Sequence, residues 1–358
     1  MLDEDAVKER MCFAWSDGKK ADEWWTHNPT YYASLENEAG FCFSKFENAR
    51  KRDFMQRLYD NQFHGDCSNV ITKSMASSGW GYDFTSLADA LWIGMVENRP
   101  VQMILTGLSG AKPGVWHYAG MKDGSKPICP STDMYCYMLS MTNCAAKKDK
   151  KDIIGLNREL KYLSGPPIVH QPKASTHSTK ANNFLIQQGE AHKKKPWIIE
   201  YETRVQTWLR KEIYEYYTNR IQMQTPCTVL HVRRSDIKGH GQRKYHPIKH
   251  YIDKIGDNLH QNILLLTDDQ NAIEEAESQY PDQNWMYFNR TRFRGTEGGW
   301  ENHFPSGDPK TETVTLLSIF RAVRQCDSIS MQKGSFAQFL VMNMDDAQGN
   351  TTVANIGF

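Results

Sequence analysis

The second half of the chain alternates short apolar segments with amphipathic segments of helical length, and this alternation restricts the possible folds more than any other feature. Strands that are apolar on both faces are typical of a parallel sheet with helices on both sides. The predicted strands are 228–232, 263–266, 285–288 and 328–331, and the predicted helices are 270–280, 311–325 and 335–342.

The first half predicts one more unit of this kind. Segments 69–76 and 100–105 predict strands, and Asp83–Asn98 predicts a helix in which Asp83 occupies a capping position. Gly79-Trp-Gly81 lies at the turn between strand and helix. Glycine there permits close approach of the backbone to a ligand, although an ordinary tight turn gives the same pattern.

The order of these segments predicts the domain organisation. The first 65 residues form an N-terminal wrap with a helix over 48–62, and Trp197–Tyr217 is a long helix that leads into the second half. We expect an α/β protein of two Rossmann-like domains that face each other across a cleft. The expected limits are 1–225 for the N-terminal domain, 226–345 for the C-terminal domain and 346–358 for a tail.

Composition excludes two classes of partner. The 43 Lys and Arg residues against 42 Asp and Glu residues give a formal net charge of +1, so no global charge attracts this chain to nucleic acid or an anionic membrane. No apolar run reaches the roughly 18 residues that a membrane-spanning helix needs. The charged first ten residues are unlike a secretory signal.

The cysteines leave the compartment open. No CxxC pair occurs, which argues against a zinc ribbon, whereas the even number of cysteines permits disulfides. Asn289-Arg-Thr and Asn350-Thr-Thr are glycosylation sequons. Together these features favour the Golgi lumen, with the membrane anchor missing from this chain; a cytoplasmic protein with free thiols is the alternative. The cysteines are Cys12, Cys42, Cys67, Cys129, Cys136, Cys144, Cys227 and Cys326.

Charged residues follow the first strand of the second half, in His231-Val-Arg-Arg-Ser-Asp236. Ligands of open parallel sheets bind at the carboxyl ends of strands, and a guanidinium is suited to a diphosphate. Because adjacent residues on a strand point to opposite faces, we expect Arg233 to reach the ligand and Arg234 to make a structural ion pair. Asp236 is a possible partner for one of the two arginines.

Two other strand ends carry polar residues. Asp268 and Asp269 follow the next strand, where they can cap a helix or bind a metal, and Asp268 is the expected cap. Ser335 opens a helix after the strand at 328–331. The first N–H groups of that helix and the Ser335 hydroxyl can receive a phosphate, although simple capping by Ser335 explains the residue equally well.

These motifs resemble those of the α1,6-fucosyltransferases, the family of the N-glycan core-fucosylating enzymes and of the bacterial enzymes of nodulation-factor synthesis. The series His231–Asp236, His246-Pro-Ile248 and Leu265–Asp269 with Tyr280-Pro281 carries the resemblance, and Cys326–Leu340 is similar to the third motif. It covers about residues 225–345. A fainter likeness over 65–120 includes the glycines at 79 and 81 and Val115-Trp-His-Tyr118, where the family's tyrosine packs on guanine.

The resemblance implies a GT-B fold, a GDP-fucose donor, a glycan or oligosaccharide acceptor, inversion at the sugar and no metal or other cofactor. The N-terminal domain would lie on the acceptor side. The residues implicated in donor binding are Gly79, Gly81, Tyr118, His231, Arg233, Arg234, Asp236, Asp268, Asp269 and Ser335.

The chain departs from the family at two positions. The family has a glutamate, proposed as the base, between its first two motifs, whereas the interval from Ile237 to Tyr245 contains no carboxylate; Gln242 or Arg243 falls near that place. An acidic residue that reads guanine corresponds to Ile319 here. Two alternatives follow: a transferase that uses another GDP- or UDP-linked sugar, and an inactive relative that binds a glycan or nucleotide.

The candidate catalytic residues are Arg233, which would neutralise the leaving diphosphate, and a histidine base. His240 and His246 can accept a proton near neutral pH, and Asp269 is a third option. A transition state with oxocarbenium character can also proceed with little help from a base, with the diphosphate as proton acceptor.

Overall fold

The computed structural model describes residues 49–74, 80–104, 134, 137–139, 141–144, 191–205, 207–234, 244–290, 292–294, 309–348 and 351–356. The chain divides into two compact units, Met1–Glu212 and Ile213–Phe358. Each unit combines helices with a parallel sheet, so the predicted α/β class is confirmed. The predicted N-terminal wrap lies outside the described residues, apart from the helix at its end. Within the described ranges, no helix has both the length and the apolar character needed to cross a bilayer.

Unit 1 contains the strand–helix–strand arrangement predicted for the first half. Strands β1 and β2 are parallel, with Ile71 paired to Val101, and α2 packs against both strands and against α1 and α3. Leu87 and Leu91, two of the residues at helical spacing, are fully buried. The elements are α1 (Ala49–Phe63), β1 (Ile71–Ser74), α2 (Trp80–Glu97), β2 (Val101–Ile104), α3 (Ala191–Glu202) and the first part of α4 (Thr207–Arg220).

The start of α2 differs from the prediction. Gly81 is the second residue of the helix rather than part of the preceding turn, and Gly79 lies outside the described residues. Asp83 is fully buried within the first turn and does not precede the helix as a cap would. The physical reason is the burial of Trp80 and Phe84, whose rings stack at 4.6 Å and are four residues apart on one helix face.

The single long helix predicted between the halves is wrong: the structure has two helices, α3 and α4. The intervening segment pairs with another part of unit 1, since Leu139 N donates to Arg204 O at 2.8 Å and Met138 forms an antiparallel bridge with Val205. The Arg204 guanidinium donates to Tyr201 O at 2.8 Å near the end of α3. This tertiary pairing ends the helix without a glycine or proline at the break.

Unit 1 buries charged groups near β1. The side chain of Lys73 on β1 is almost fully buried, and Glu202 at the end of α3 is fully buried. Burial lowers the pKa of Lys73 to about 8, although Asp83, Asp89 and Glu202 oppose this shift. Burial also raises the pKa of Glu202 well above its ordinary value, and neither carboxyl oxygen of Glu202 has a hydrogen-bond partner among the described residues.

Replacement of Glu202 by glutamine should therefore make unfolding of unit 1 less dependent on pH. The raised folded-state pKa means that Glu202 gives its full contribution to stability below the ordinary glutamate pKa and loses it as the pH rises towards the folded-state value. Relative to wild type, the variant should gain in melting temperature as the pH increases from about 5 to 7. Thermal unfolding across that range measures this, and the exposed Asp53→Asn is the control. A constant offset between Glu202→Gln and wild type at every pH would contradict it.

Unit 2 is a five-stranded parallel sheet with the strand order β5-β4-β3-β6-β7. The chain runs outward from β3 to β5 on one side and then from β6 to β7 on the other, so the order reverses between β3 and β6. Ligands of such doubly wound sheets bind outside the carboxyl ends of the strands at this reversal. The elements are β3 (Cys227–Val232), α5 (Ile248–Ile255), a 3-10 turn (Gly256–Asn258), β4 (Asn262–Thr267), α6 (Gln270–Gln279), β5 (Asn284–Met286), α7 (Pro309–Val323), β6 (Ser328–Gln332), α8 (Ser335–Gln348) and β7 (Thr352–Ile356).

The central strand β3 is buried along its whole length because helices cover both faces of the sheet. Leu230 and Val232 belong to a core that includes side chains of α5 and α6. His231 points to the opposite face, where its ring lies 5.5 Å from that of Phe336 on α8. Side chains on one face of β3 therefore lie towards α5 and α6, and side chains on the other face lie towards α7 and α8.

Two elements of unit 2 were not predicted. The short helix α5 buries Ile248, Tyr251 and Ile255 and exposes Lys249, His250, Asp253 and Lys254. Residues 346–358, expected to form a tail, contain the end of α8 and the edge strand β7, which pairs with β6. In β7 only Ile356 is fully buried and Val353 is exposed, so this strand lacks the apolar run that marks the inner strands.

Among the described residues, one disulfide lies in each unit. Cys67 pairs with Cys144 in unit 1, and Cys227 at the start of β3 pairs with Cys326 just before β6. These four cysteines therefore form disulfides and are not free thiols. The Cys227–Cys326 bond links β3 and β6, the two strands between which the strand order reverses.

Candidate functional site

Arg234 follows β3 and is a fully buried structural residue. Its Nε and Nη2 donate to His246 O at 3.0 and 2.8 Å, and Nη2 also donates to Glu275 Oε2 at 2.6 Å. Nη1 donates to the Tyr245 hydroxyl at 3.0 Å and contacts Asp269 Oδ2 at 3.5 Å. These contacts engage all five N–H groups of a guanidinium. The structure thus agrees with the expected ion pair and leaves no N–H of this guanidinium for a ligand.

The acidic pair after β4 supports this arrangement. Asp268 Oδ1 accepts a hydrogen bond from Arg234 N at 3.0 Å. The N-cap of α6 is Asp269, which accepts from Asn271 N at 3.0 Å, so the expectation that Asp268 is the cap is wrong. Because Asp269 is fully buried and also contacts Arg234 and Tyr245, its carboxylate is unsuited to act as a base on a bound acceptor.

Tyr245 covers the buried Arg234–Asp269 pair on its solvent-exposed side. Its ring lies 4.4 Å below the Arg234 guanidinium, and its hydroxyl donates to Asp269 Oδ2 at 3.2 Å. Burial raises the pKa of Tyr245, with Asp269 acting in the same direction and Arg234 opposing it. The phenol therefore keeps the proton that it donates to Asp269.

The segment 244–248 is held at two further points. Gln332 Nε2, at the end of β6, donates to Lys244 O at 3.2 Å. Glu275 Oε1 accepts from Ile248 N at 2.7 Å, so one carboxylate joins Arg234 to the start of α5. Residues 244–248 are thus fixed at the carboxyl ends of β3 and β6.

Arg233 lies directly after β3 and is partly exposed. Continued alternation places it on the face of His231, towards α8, and opposite to the face of Arg234. Of the two adjacent guanidiniums, the one expected to reach a ligand is therefore on the side of the sheet that carries the start of α8.

The start of α8 adds N–H donors at the strand-order reversal. Gln338 N donates to Gly334 O at 2.9 Å, which makes Gly334 the N-cap and Ser335 the first helical residue. The first N–H groups of a helix have no partner within the helix, and glycine has no side chain to cap them. Capping by the Ser335 side chain, one of the two alternatives, is therefore not the arrangement observed, and the N–H groups of α8 can receive an anion.

The candidate bases differ in position. His246 has its carbonyl fixed by Arg234, and its Nδ1 lies 3.1 Å from Nδ1 of His250. His240, with Asp236, lies outside the described residues, as do Gln242, Arg243 and Tyr118. Ile319 is only 7% exposed within α7, so it belongs to the core.

Sequence reasoning missed three residues of this site. Glu275 and Tyr245 hold Arg234, and Gln332 holds Lys244 while its own Oε1 is buried with no hydrogen-bond partner in the described part of the chain. A polar residue at the end of a buried strand was the available signal for Gln332. Glu275 lies within α6 and carries no such signal. Among the described residues, no cluster of three or more His, Cys, Asp or Glu side chains is arranged to hold a metal.

Solved structures of other proteins are similar to this chain, at low sequence identity. No family model matches the chain. It is similar to the fucosyltransferase NodZ from Bradyrhizobium, with 11% identity and a TM-score of 0.40 over 76% of this chain and 92% of that one. It is also similar to an Arabidopsis thaliana FUT1 mutant in complex with GDP, with 11% identity and a TM-score of 0.43 over 90% of this chain and 78% of the other. For POFUT1 in its apo form, identity is 12% and the TM-score 0.36, over 82% and 99%.

Proposed function

We propose that this chain is a GT-B glycosyltransferase that transfers fucose from GDP-fucose to a hydroxyl of a glycan or oligosaccharide acceptor. The observation that carries the proposal is the position of Arg233 directly after β3 and of the start of α8 shortly after β6, the two strands between which the strand order of unit 2 reverses, at a sheet edge held by the buried Arg234. This edge offers positive charge and N–H donors to a diphosphate. The identification of fucose, of the guanine nucleotide and of an α1,6-like linkage rests on the motif resemblance.

In the proposed reaction the acceptor oxygen attacks the anomeric carbon of the donor from the face opposite the diphosphate. The bond from that carbon to the phosphate oxygen breaks, and GDP leaves with the electron pair. Arg233 and the N–H groups of α8 stabilise the charge that develops on the diphosphate. These groups can do so without a divalent cation, and we therefore propose a metal-independent transferase.

The proton of the acceptor hydroxyl passes to a base or to the departing diphosphate. His246 is the described candidate, since Arg234 fixes its main chain and a histidine titrates near neutral pH. His240 remains the second candidate. The two disulfides are consistent with a secretory compartment, and we propose the Golgi lumen on that ground.

Calorimetric titration with GDP and with UDP, first without added metal and then with EDTA, tests the donor. We expect GDP to bind more tightly than UDP and its affinity to be unchanged by EDTA, because the proposed site uses a guanidinium and N–H groups. Preference for UDP, or loss of GDP binding in EDTA, would overturn the named donor or the metal-independent mechanism.

One residue, Ile319, favours a nucleotide sugar other than GDP-fucose as the donor. Ile319, which is buried in α7, occupies the position at which the family has the acidic residue that reads guanine. A transferase for another nucleotide sugar would keep the diphosphate site and change only the groups around the base. The same titration separates GDP-fucose from a UDP-linked donor.

A further inference from the structure

Three arginines lie close together in the segment after β5, and their partners differ. Arg290 Nη2 lies 3.1 Å from Glu312 Oε1, and Arg294 makes a forked contact with Glu274 at 2.7 and 3.0 Å. Arg292 contacts no carboxylate among the described residues. Its hydrogen bonds all go to main-chain carbonyls, and no carboxylate of the described residues neutralises its positive charge.

The carbonyls that hold Arg292 place it at the ligand-binding edge of the sheet. Nε donates to Thr267 O at 3.2 Å, Nη1 to Arg290 O at 3.0 Å and Nη2 to Phe288 O at 2.5 Å. Thr267 is the last residue of β4 and is paired in register with Val232, the residue before Arg233. Neighbouring strands are about 4.8 Å apart, so Arg292 lies one strand from the end of β3.

Arg292 keeps donors for a ligand. A guanidinium has five N–H groups, and the three carbonyls engage three of them. The residue is partly exposed, and the remaining two N–H groups, one on each Nη, have no hydrogen-bond partner among the described residues. Burial and the neighbouring Arg290 lower the pKa of Arg292 to about 10, and a nearby anion would act in the opposite direction.

We infer that Arg292 is a second anion-binding guanidinium of the donor site and contacts the diphosphate from the β4 side of Arg233. This inference rests on the proposed function and specifies it: two guanidiniums at adjacent strand ends, together with the start of α8, surround one diphosphate. The carbonyl contacts orient the fork of Arg292 in advance, so little side-chain entropy is lost on binding. Arg290 and Arg294, which pair with carboxylates, do not share this role.

The alternative role for Arg292 is structural, as a brace between the end of β4 and the segment 288–292. Calorimetry with inorganic pyrophosphate, GDP and guanosine separates the two roles in wild type, Arg292→Gln and Arg292→Lys. The exposed Arg294→Gln is the matched control because it removes one arginine from the same segment. Circular dichroism and melting temperature report the fold of each variant.

We expect Arg292→Gln to weaken pyrophosphate and GDP about 10- to 100-fold, the effect of losing a charge-assisted hydrogen-bonded contact. Guanosine, which has no phosphate, should bind as in wild type, Arg292→Lys should restore part of the affinity, and Arg294→Gln should change nothing. Equal loss of guanosine and GDP, unchanged pyrophosphate affinity in Arg292→Gln, or loss of the native fold in both Arg292 variants would overturn the inference.

Binding of pyrophosphate tests the inference separately from the proposed function, because pyrophosphate contains neither the nucleoside nor the sugar of the donor. If wild type binds pyrophosphate in a manner that depends on Arg292 but binds no GDP, the inference stands and the named donor fails. If GDP binds through Arg233 with no contribution from Arg292, the proposed function stands and the inference fails. A wild type that does not bind pyrophosphate contradicts the inference whatever its nucleotide preference.

Discussion

Replacement of Arg234 by methionine should destabilise unit 2 by about 3–5 kcal/mol, the usual cost of removing one partner from a buried ion pair. The side chain is fully buried, and its loss would leave Asp269 without its guanidinium partner and free His246 O from two donors. Glu275 would keep only its contact with Ile248 N among the hydrogen bonds described above. Chemical denaturation of wild type and variant measures the free energy of unfolding.

The control for Arg234 is Arg294→Met, which removes an arginine from an exposed pair with Glu274. Exposed ion pairs contribute at most about 1 kcal/mol, so this variant should unfold nearly as wild type does. In the Arg234→Met background, Glu275→Gln should restore part of the stability because it removes a carboxylate that has lost its partner. Equal free energies of unfolding for Arg234→Met and Arg294→Met would contradict the structural role of Arg234.

Replacement of Arg233 by alanine should lower the rate of sugar transfer about 100- to 1000-fold, as the loss of one group that stabilises developing charge typically does. The variant should fold, because Arg233 is partly exposed and lies after the end of β3. Release of GDP from GDP-fucose in the presence of acceptor measures the rate.

Arg220→Ala is the matched control for Arg233. It removes the same charge from an exposed position at the end of α4, which precedes the amino-terminal end of β3 and so lies at the edge of the sheet opposite the proposed site. We expect wild-type turnover in Arg220→Ala. Turnover in Arg233→Ala equal to that of Arg220→Ala would exclude Arg233 from the reaction.

The inner strands of unit 2 were predictable because burial on both faces requires apolar residues at almost every position. The predicted strand 228–232 differs by one residue from Cys227–Val232, and 263–266 lies within Asn262–Thr267. The structural ion pair of Arg234 was predictable for a related reason. Successive residues of an extended segment point to opposite faces, and only one face of this edge is filled by α5 and α6.

Features determined by distant contacts could not be predicted. The two helices α3 and α4 are separated by pairing with Met138 and Leu139, and no local residue marks the break. The partners of Arg234 lie 11 and 41 residues away, at Tyr245 and Glu275, so no spacing in the sequence indicates them. The edge strand β7 was missed because three of its five residues are exposed and its sequence is correspondingly mixed.

The central claim is tested most directly by incubating the wild-type protein with GDP-fucose and a panel of oligosaccharide acceptors in EDTA and measuring the GDP released and the fucose transferred. The account predicts that GDP release depends on the acceptor, that fucosylated product forms in equal amount, and that both are lost in Arg233→Ala. Absence of GDP release and transfer above background from a folded wild-type protein that binds GDP would contradict it and would favour a nucleotide-binding protein without transferase activity.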